Sequence, residues 1–222
     1  MFADREEAGR RLAAAVKRLR DENVIVLGLP RGGVPVAAVV ARHLDAPLDV
    51  IVVRKLGLPY QPELGLGAVG EGGVRVINEA LLQATGFSAE DLAEVEEREC
   101  AEVEARAIRF RGDRPPITLT GRTVILIDDG IATGSTMRAA CLVARALSAG
   151  RVVVAAPVAA KSSLSKIEEV ADEVICLHTP RLLNSVGEWY RDFSQTSVAE
   201  VVRLLPGSHP DVTGAPAPNR SS

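Results

Sequence analysis

Apolar residues in this chain follow two alternating patterns, short continuous runs and longer stretches with helical spacing. Runs such as residues 24–29 and 124–127 are typical of strands that are buried on both faces of a parallel sheet. Residues 4–20 instead repeat apolar positions three or four apart, which indicates an amphipathic helix. Strands are predicted at 24–29, 48–53, 74–77, 124–127, 151–156 and 173–177, and helices at 4–20, 34–44, 79–84, 88–110, 137–147, 163–170 and 197–204. This alternation predicts an α/β domain with a parallel sheet and helices on both faces.

The region between the second and third predicted strands is rich in glycine and breaks the alternation. Residues 65–70 fit the Gly-x-Gly-x-x-Gly pattern of dinucleotide-binding proteins, which requires a strand before it and a helix after it. Tyr-Gln-Pro-Glu precedes the pattern and Glu-Gly-Gly follows it, so neither requirement is met. We interpret this stretch as an irregular strand or hairpin and exclude a Rossmann dehydrogenase.

Composition narrows the class of protein. The chain has 222 residues, of which 47% are hydrophobic and only 3% aromatic, so the core is aliphatic. The net charge of -3 does not favour a nucleic-acid partner, and no apolar stretch reaches the length that spans a membrane.

Three scattered cysteines and an N-terminus without a signal peptide's apolar core predict a cytoplasmic protein. We expect one domain over residues 1–206 and a disordered tail over 207–222, which is rich in Pro, Gly and Ser.

Residues 124–136 carry the clearest chemistry. A buried strand ends at two carboxylates, Asp128 and Asp129, and a loop of small residues then leads into a helix. Free backbone N–H groups at such a loop and helix start can surround a phosphate, and the helix dipole adds to the attraction. The paired carboxylates suit neutral hydroxyls, which can donate two hydrogen bonds. One end of the segment therefore favours a phosphate and the other a diol, as in a ribose 5-phosphate.

Two other interpretations of this segment are weaker. An ATP-binding P-loop ends in Gly-Lys-Ser/Thr, and no lysine lies in this loop. An ordinary tight turn capped by Thr and Ser does not need two adjacent carboxylates, whose repulsion is unfavourable.

The segment closely resembles the phosphoribosyl pyrophosphate (PRPP) signature of type I phosphoribosyltransferases: an apolar strand, two acids, then Gly-x-x-Thr-Gly-x-Thr. The resemblance implies the type I phosphoribosyltransferase fold with a small C-terminal hood. It implies that Asp128 and Asp129 hold the ribose 2- and 3-hydroxyls. The residues implied to bind the 5-phosphate and ribose are Asp128, Asp129, Gly130, Ala132, Thr133, Gly134, Ser135 and Thr136.

A second loop, after the first core strand, reads Pro-Arg-Gly-Gly and comes just before a predicted helix. It resembles the family's pyrophosphate loop, which implies that Arg31, Gly32 and Gly33 bind pyrophosphate and that Arg31 takes part in catalysis with the two aspartates. The alternative is a Gly-Gly turn with a solvated arginine. Arg54 and Lys55 follow the second predicted strand at the same edge. The resemblance suggests that one of them, for which we take Lys55, reaches pyrophosphate too, in the same subunit or in a neighbouring one. A solvated basic pair is an equally good interpretation.

The family recognises its acceptor near the C-terminus, in a hood that corresponds here to about residues 178–205. Trp189 and Tyr190 offer flat rings for a planar acceptor, and Asp192 offers a hydrogen-bond acceptor. The alternative is that these rings anchor the last helix on the core. Residues 88–111, where the family often has a mobile closing loop, instead predict a charge-rich docking helix, for which a dimer interface is one candidate place. The apolar stripe expected for that helix is Leu92, Val95, Cys100, Val103 and Ile108.

The resemblance implies a reaction in which a nitrogen nucleophile displaces pyrophosphate from C1 of PRPP, or the reverse. Mg²⁺ would neutralise the pyrophosphate while held mainly by pyrophosphate and water, so no residue is assigned as its ligand. The expected protein is a cytoplasmic homodimer that acts on PRPP and a small-molecule acceptor, without nucleic acid or membrane. A non-catalytic PRPP-sensing regulatory protein is the alternative.

Overall fold

The structure is a computed structural model that describes residues 1–58 and 61–205. The strands are β1 (Val24–Gly28), β2 (Leu48–Val50), β3 (Val53–Leu58), β4 (Gln61–Gly70), β5 (Val74–Ile77), β6 (Thr123–Ile127), β7 (Arg151–Val158) and β8 (Glu173–His178). The helices are α1 (Arg5–Val16), α2 (Gly33–Leu44), α3 (Glu79–Thr85), α4 (Ala89–Arg111), α5 (Ser135–Ala146), α6 (Lys161–Glu168) and α7 (Val198–Leu204). The predicted tail at 207–222 lies outside the described residues.

Five strands form the central sheet in the order β2-β1-β6-β7-β8, and every neighbouring pair is parallel. Alternate side chains of these strands enter two different layers, as the period of a strand requires. Val26 and Ile127 pack in the core beneath α1 and α2, whereas Leu27 and Leu126 pack in the core with α5 and α6. The predicted α/β class, with helices on both faces of a parallel sheet, is confirmed.

Polar side chains mark where several helices begin. Asp4, Ser88 and Ser197 precede α1, α4 and α7, and each accepts a hydrogen bond from a backbone N–H three residues later. Such caps satisfy N–H groups that have no partner within the helix. The predicted cap at Ser88 is confirmed.

The predicted strand at 48–53 is wrong, because the chain changes sheets inside it. β2 pairs with β1 only as far as Val50, and β3 begins at Val53 in a second, antiparallel sheet ordered β3-β4-β5. Ile51 and Val52 lie between the two strands and are buried. Residues 48–53 are apolar except for Asp49. Such a run looks the same in sequence whether its residues join one sheet or two.

The second sheet explains the glycine-rich region. The Gly-x-Gly-x-x-Gly stretch lies within β4, which pairs with β3 on one side and β5 on the other. At Gly67 a side chain would meet the carbonyl oxygen of Val76 at 2.1 Å, so this glycine is required by strand packing. The exclusion of a dinucleotide loop agrees with this structure.

Helix α4 packs against this second sheet and against α7. Leu92, Val95 and Val103 of the predicted stripe are buried, and Cys100 is partly buried. The prediction for Ile108 is wrong, since it is 63% exposed, and Ala107 and Phe110 pack on the core instead. The described residues contain no helix that is both long and apolar enough to cross a membrane.

Candidate functional site

The acidic pair lies where β6 ends, at the carboxyl edge of the central sheet, where open α/β sheets bind their ligands. The chain then runs through a short loop and enters α5 at Ser135. Gly134 has φ +77°, a conformation that favours glycine, and it immediately precedes the helix. The hydroxyl of Ser163 donates to the carbonyl oxygen of Ala132 over 2.5 Å and holds the loop from the α6 side.

The loop presents a row of backbone donors. Among the described residues, the N–H groups of residues 132–136 donate to no protein group, whereas those of Ile131 and Arg138 on either side are bonded. Ala132, Thr133 and Thr136 are exposed, Ser135 is partly buried and Gly134 is buried. The hydroxyls of Thr133 and Ser135 lie 3.3 Å apart. Five open N–H groups at the start of a twelve-residue helix are suited to an anion such as a phosphate.

A hydrogen bond links the two aspartates, and the pKa of Asp128 is shifted. The backbone N–H of Asp129 donates to Oδ1 of Asp128 over 2.9 Å. Burial, and next the negative charge of Asp129, raise the pKa of Asp128 well above its ordinary value. Asp128 therefore keeps a proton more readily than an ordinary aspartate.

The Pro-Arg-Gly-Gly loop lies directly against this pair, although it is about a hundred residues away in sequence. A side chain at Gly32 would meet Oδ2 of Asp129 at 2.0 Å, and one at Gly33 would meet the carbonyl oxygen of Ile127 at 2.5 Å. The Pro30–Arg31 peptide bond is cis. Arg31 lines a 470 Å³ cleft together with Thr136 of the signature. The structure thus brings the two predicted loops together.

The sequence predicts Lys55 at the carboxyl edge of the parallel sheet. It belongs instead to β3 of the second, antiparallel sheet. It lines a different cleft, of 600 Å³, beside Thr133, Gly134 and Ser135. Its neighbour Arg54 pairs with Glu99 of α4 over 2.7 Å. Within one chain, Lys55 thus approaches the signature loop rather than the Arg31 loop, and the predicted shared sheet edge is wrong.

The proposed acceptor residues occupy three different environments. Tyr190 is buried, packs against Phe2, and donates its hydroxyl to the carbonyl oxygen of Asp129 over 2.5 Å. Trp189 is half-buried and stacks on His178 with ring centres 5.3 Å apart, while Asp192 is exposed. Tyr190 is therefore used in packing, but the contacts described for it are with Phe2, Phe193 and Asp129 rather than with the last helix, as the alternative expected.

Sequence reasoning missed Arg5, which contacts the acidic pair directly. Its Nε donates to Oδ2 of Asp129 over 2.8 Å, across 124 positions of sequence. No local pattern marked it, because Arg5 begins an ordinary charged helix with several other arginines.

The same site offers no protein cage for a metal. Across residues 1–58 and 61–205 there is no cluster of three or more His, Cys, Asp and Glu side chains that could hold an ion. This fits a Mg²⁺ ion only if most of its ligands come from a substrate and from water.

Comparisons with known proteins agree with this geometry. The model of the phosphoribosyl transferase domain family matches residues 3–191. The chain is 51% identical over 217 residues to "Putative phosphoribosyl transferase Rv0571c" and to "Putative phosphoribosyl transferase MT0597", from two Mycobacterium tuberculosis strains. These matches cover 98% of this chain but 49% of each relative, so the chain spans about half their length. The crystal structure of TT1426 from Thermus thermophilus is similar with a TM-score of 0.86 and 42% identity, over 93% of this chain and 98% of that one.

Proposed function

Because the chain belongs to the phosphoribosyl transferase family, we propose that it transfers the 5-phosphoribosyl group between PRPP and a nitrogenous, base-like acceptor, with release of pyrophosphate. The observation that carries this proposal is the row of five open N–H groups directly beside the two carboxylates. A phosphate and a diol, the two ends of a ribose 5-phosphate, suit these two features.

The 5-phosphate would bind at residues 132–136. Backbone donors fix the oxygens of a phosphate without adding charge, and the α5 dipole favours the anion further. Thr133, Ser135 and Thr136 supply hydroxyl donors at the same place. The ribose would then lie over Asp128 and Asp129, with its 2- and 3-hydroxyls donating to the carboxyl oxygens.

The pyrophosphate would bind across the cleft that Arg31 and Thr136 line. Gly32 and Gly33 let the backbone approach closely, and the guanidinium of Arg31 offers a planar set of donors to phosphate oxygens. Arg106 and Arg109 of α4 line the same cleft. Glu102 lies there too and pairs with Arg106 over 2.6 Å, so these three side chains together add one positive charge. Lys55 stays a predicted pyrophosphate ligand. Because it lines the 600 Å³ cleft and not the Arg31 cleft of its own chain, it would reach the pyrophosphate of a neighbouring subunit.

The proposed reaction forms a bond from the acceptor nitrogen to C1 of the ribose and breaks the bond from C1 to the pyrophosphate oxygen. Pyrophosphate leaves with the bonding electron pair, and the acceptor nitrogen loses its proton. Mg²⁺, when bound, would neutralise charge on the leaving group. The residues of the chain position the substrate and stabilise developing charge, through the amides of 132–136, Arg31 and the two aspartates.

A PRPP-sensing regulatory protein without turnover is the second candidate. It is favoured by α4, which is a regular 23-residue helix docked on the second sheet, at the place where the family often has a mobile closing loop. Trp189 and Tyr190 also use ring surface in contacts with His178 and Phe2.

Calorimetric titration with PRPP, with and without Mg²⁺, tests the shared part of both proposals. Pyrophosphate release is then measured over a panel of purine and pyrimidine bases. Binding followed by release with one base supports the transferase and identifies its acceptor. Binding without release from any base supports the sensor, and absence of PRPP binding overturns both.

The homodimer and the cytoplasmic location stay predictions. Light scattering on the purified chain, with and without PRPP, measures the first, and fractionation of cells measures the second.

A further inference from the structure

The first residues of the chain pair with the segment that precedes α7. The N–H of Phe2 donates to the carbonyl oxygen of Trp189 over 2.7 Å, and the N–H of Arg191 donates back to Phe2 over 2.9 Å. Asp192 likewise donates to Ala3 over 2.9 Å. We call residues 2–5 and 189–194 the terminal clasp.

Arg5 is the point at which the terminal clasp reaches the acidic pair. Its Nη1 donates to the carbonyl oxygen of Ser194 over 2.7 Å, and its guanidinium carbon lies 4.1 Å from the centre of the Phe193 ring. The same guanidinium also donates from Nε to Oδ2 of Asp129. The side chains of Arg5 and Asp129 are each only 13% exposed. A planar guanidinium fixed at three points holds its partner in one orientation.

The two oxygens of Asp129 consequently have different surroundings. Oδ2 lies between Arg5 and the backbone at Gly32, where even a Cβ atom would come within 2.0 Å. Oδ1 receives no N–H or hydroxyl hydrogen bond from the part of the chain that the structure describes. The same Cβ atom would lie 3.2 Å from Oδ1, so Oδ1 is the less enclosed oxygen and the one that Arg5 leaves to a ligand.

We propose that Arg5 is a positioning residue for the ribose diol: it holds Oδ2 of Asp129 and so presents Oδ1 to a ribose hydroxyl. This inference rests on the proposed binding of PRPP. It assigns a substrate-orienting role to the start of α1, which is far from both predicted ligand loops in sequence.

Electrostatics support the same arrangement. Two adjacent carboxylates repel each other, and the charge of Arg5 counteracts the rise in the pKa of Asp128 that burial and Asp129 cause. Within residues 1–58 and 61–205, the guanidinium of Arg5 from α1 and the neutral hydroxyl of Tyr190 lie next to the pair. Loss of Arg5 would leave the pair both misoriented and uncompensated.

The test compares three ligands on the Arg5→Met variant, in the presence of Mg²⁺: PRPP, ribose 5-phosphate and pyrophosphate. Only the first two carry the diol. Because a carboxylate that turns away from its productive orientation loses the hydroxyl, we expect both affinities to fall about 10- to 100-fold. Pyrophosphate, whose proposed ligands include Arg31, should bind Arg5→Met as it binds the wild type.

Two further variants separate positioning from folding. Arg10→Met removes an exposed arginine of the same helix, which pairs with Glu6 over 2.7 Å, and should leave all three affinities unchanged. Arg5→Lys keeps the charge and one donor, so it should recover part of the lost affinity. Melting temperatures of all variants show whether each is folded.

Each outcome decides the matter. An equal loss for pyrophosphate would mean that Arg5 supports the fold as a whole, and wild-type affinity for ribose 5-phosphate in Arg5→Met would mean that it does not orient Asp129. Tighter PRPP binding in Arg5→Met would mean that Arg5 competes with the diol. All three overturn the inference while leaving the proposed function intact, whereas a wild-type chain that binds neither PRPP nor ribose 5-phosphate removes both.

Discussion

The hydroxyl of Tyr190 donates a hydrogen bond to the backbone carbonyl oxygen of Asp129 over 2.5 Å. The residue is 5% exposed, and burial, followed by the charge of Asp129, raises the pKa of the phenol above its ordinary value. The hydroxyl therefore stays protonated and remains a donor. Tyr190 fixes the backbone of the acidic pair while Arg5 fixes one of its carboxylates.

Tyr190→Phe should weaken both stability and ligand binding. Removal of the hydroxyl leaves the Asp129 carbonyl without this partner, which costs about 1–3 kcal/mol of unfolding free energy. Each kcal/mol corresponds to a fall of roughly 2–4 °C in melting temperature for a chain of this size. Thermal unfolding measures this change, and titration with PRPP should show lower affinity because the carboxylates lose their support.

The control is Ser165→Ala, which removes an exposed hydroxyl that donates to the Ser162 carbonyl over 3.3 Å. It should leave stability and PRPP affinity as they are. If Tyr190→Phe behaves like this control, the hydrogen bond to Asp129 does not support the site.

Substitution of both carboxylates, Asp128→Asn with Asp129→Asn, should remove PRPP binding without unfolding the chain. Two hydrogen bonds from the ribose hydroxyls to the carboxyl oxygens contribute about 3 kcal/mol or more to the binding free energy. Their loss corresponds to roughly a 100-fold fall in affinity. Calorimetric titration measures the loss, and circular dichroism checks the fold. The exposed pair Asp21→Asn with Asp113→Asn makes the same change of charge elsewhere. Unchanged affinity in the first double variant would refute the diol assignment.

Asp128→Asn alone should stabilise the protein increasingly as the pH rises. The folded-state pKa of Asp128 lies well above the ordinary 3.8, so the unfolded chain releases this proton first. Stability is therefore lost as the pH rises from about 4 through the folded-state pKa, and it is fully retained only below that window. Asparagine has no such proton to lose. The difference in melting temperature between variant and wild type should be small at about pH 4 and larger at about pH 7. Parallel curves would contradict a raised pKa.

Gly32→Ala should disrupt both predicted loops at once. The new methyl group would lie 2.0 Å from Oδ2 of Asp129, so either the carboxylate or the Arg31 loop must move. Overpacking of this kind costs about 1–3 kcal/mol of stability, and a displaced carboxylate should lower PRPP affinity by roughly 100-fold, about 3 kcal/mol. Thermal unfolding and titration measure the two effects separately.

Gly65→Ala is the matched control, because a side chain there would meet nothing within 4 Å. It should melt like the wild type. Because Gly65 lines the 600 Å³ cleft beside Ser135, this control applies to stability and not to PRPP affinity. A folded Gly32→Ala variant with normal affinity would show that the two loops do not act as one site.

Much of the fold followed from local patterns. Continuous apolar runs predicted β1, β6, β7 and β8, and the capping residue Ser88 predicted where α4 begins. These features depend on neighbours within a few residues, which a sequence displays directly. Patterns failed at residues 48–53 because pairing decides which sheet an apolar residue joins, and β3 finds its partner in β4, further along the chain.

The sequence by itself determined the order of strand, acidic pair, small-residue loop and helix, which the structure has at 123–146, and with it the family. This unit is contiguous, and its chemistry needs particular residues at fixed spacing. Only the tertiary structure decided what surrounds Asp129. Gly32 lies against one carboxylate oxygen, Arg5 bonds the same oxygen, and Tyr190 holds the backbone. These residues come from three distant parts of the chain, and their meeting depends on the order of the strands and on the terminal clasp. No local pattern encodes such contacts, because they arise from packing across the whole domain.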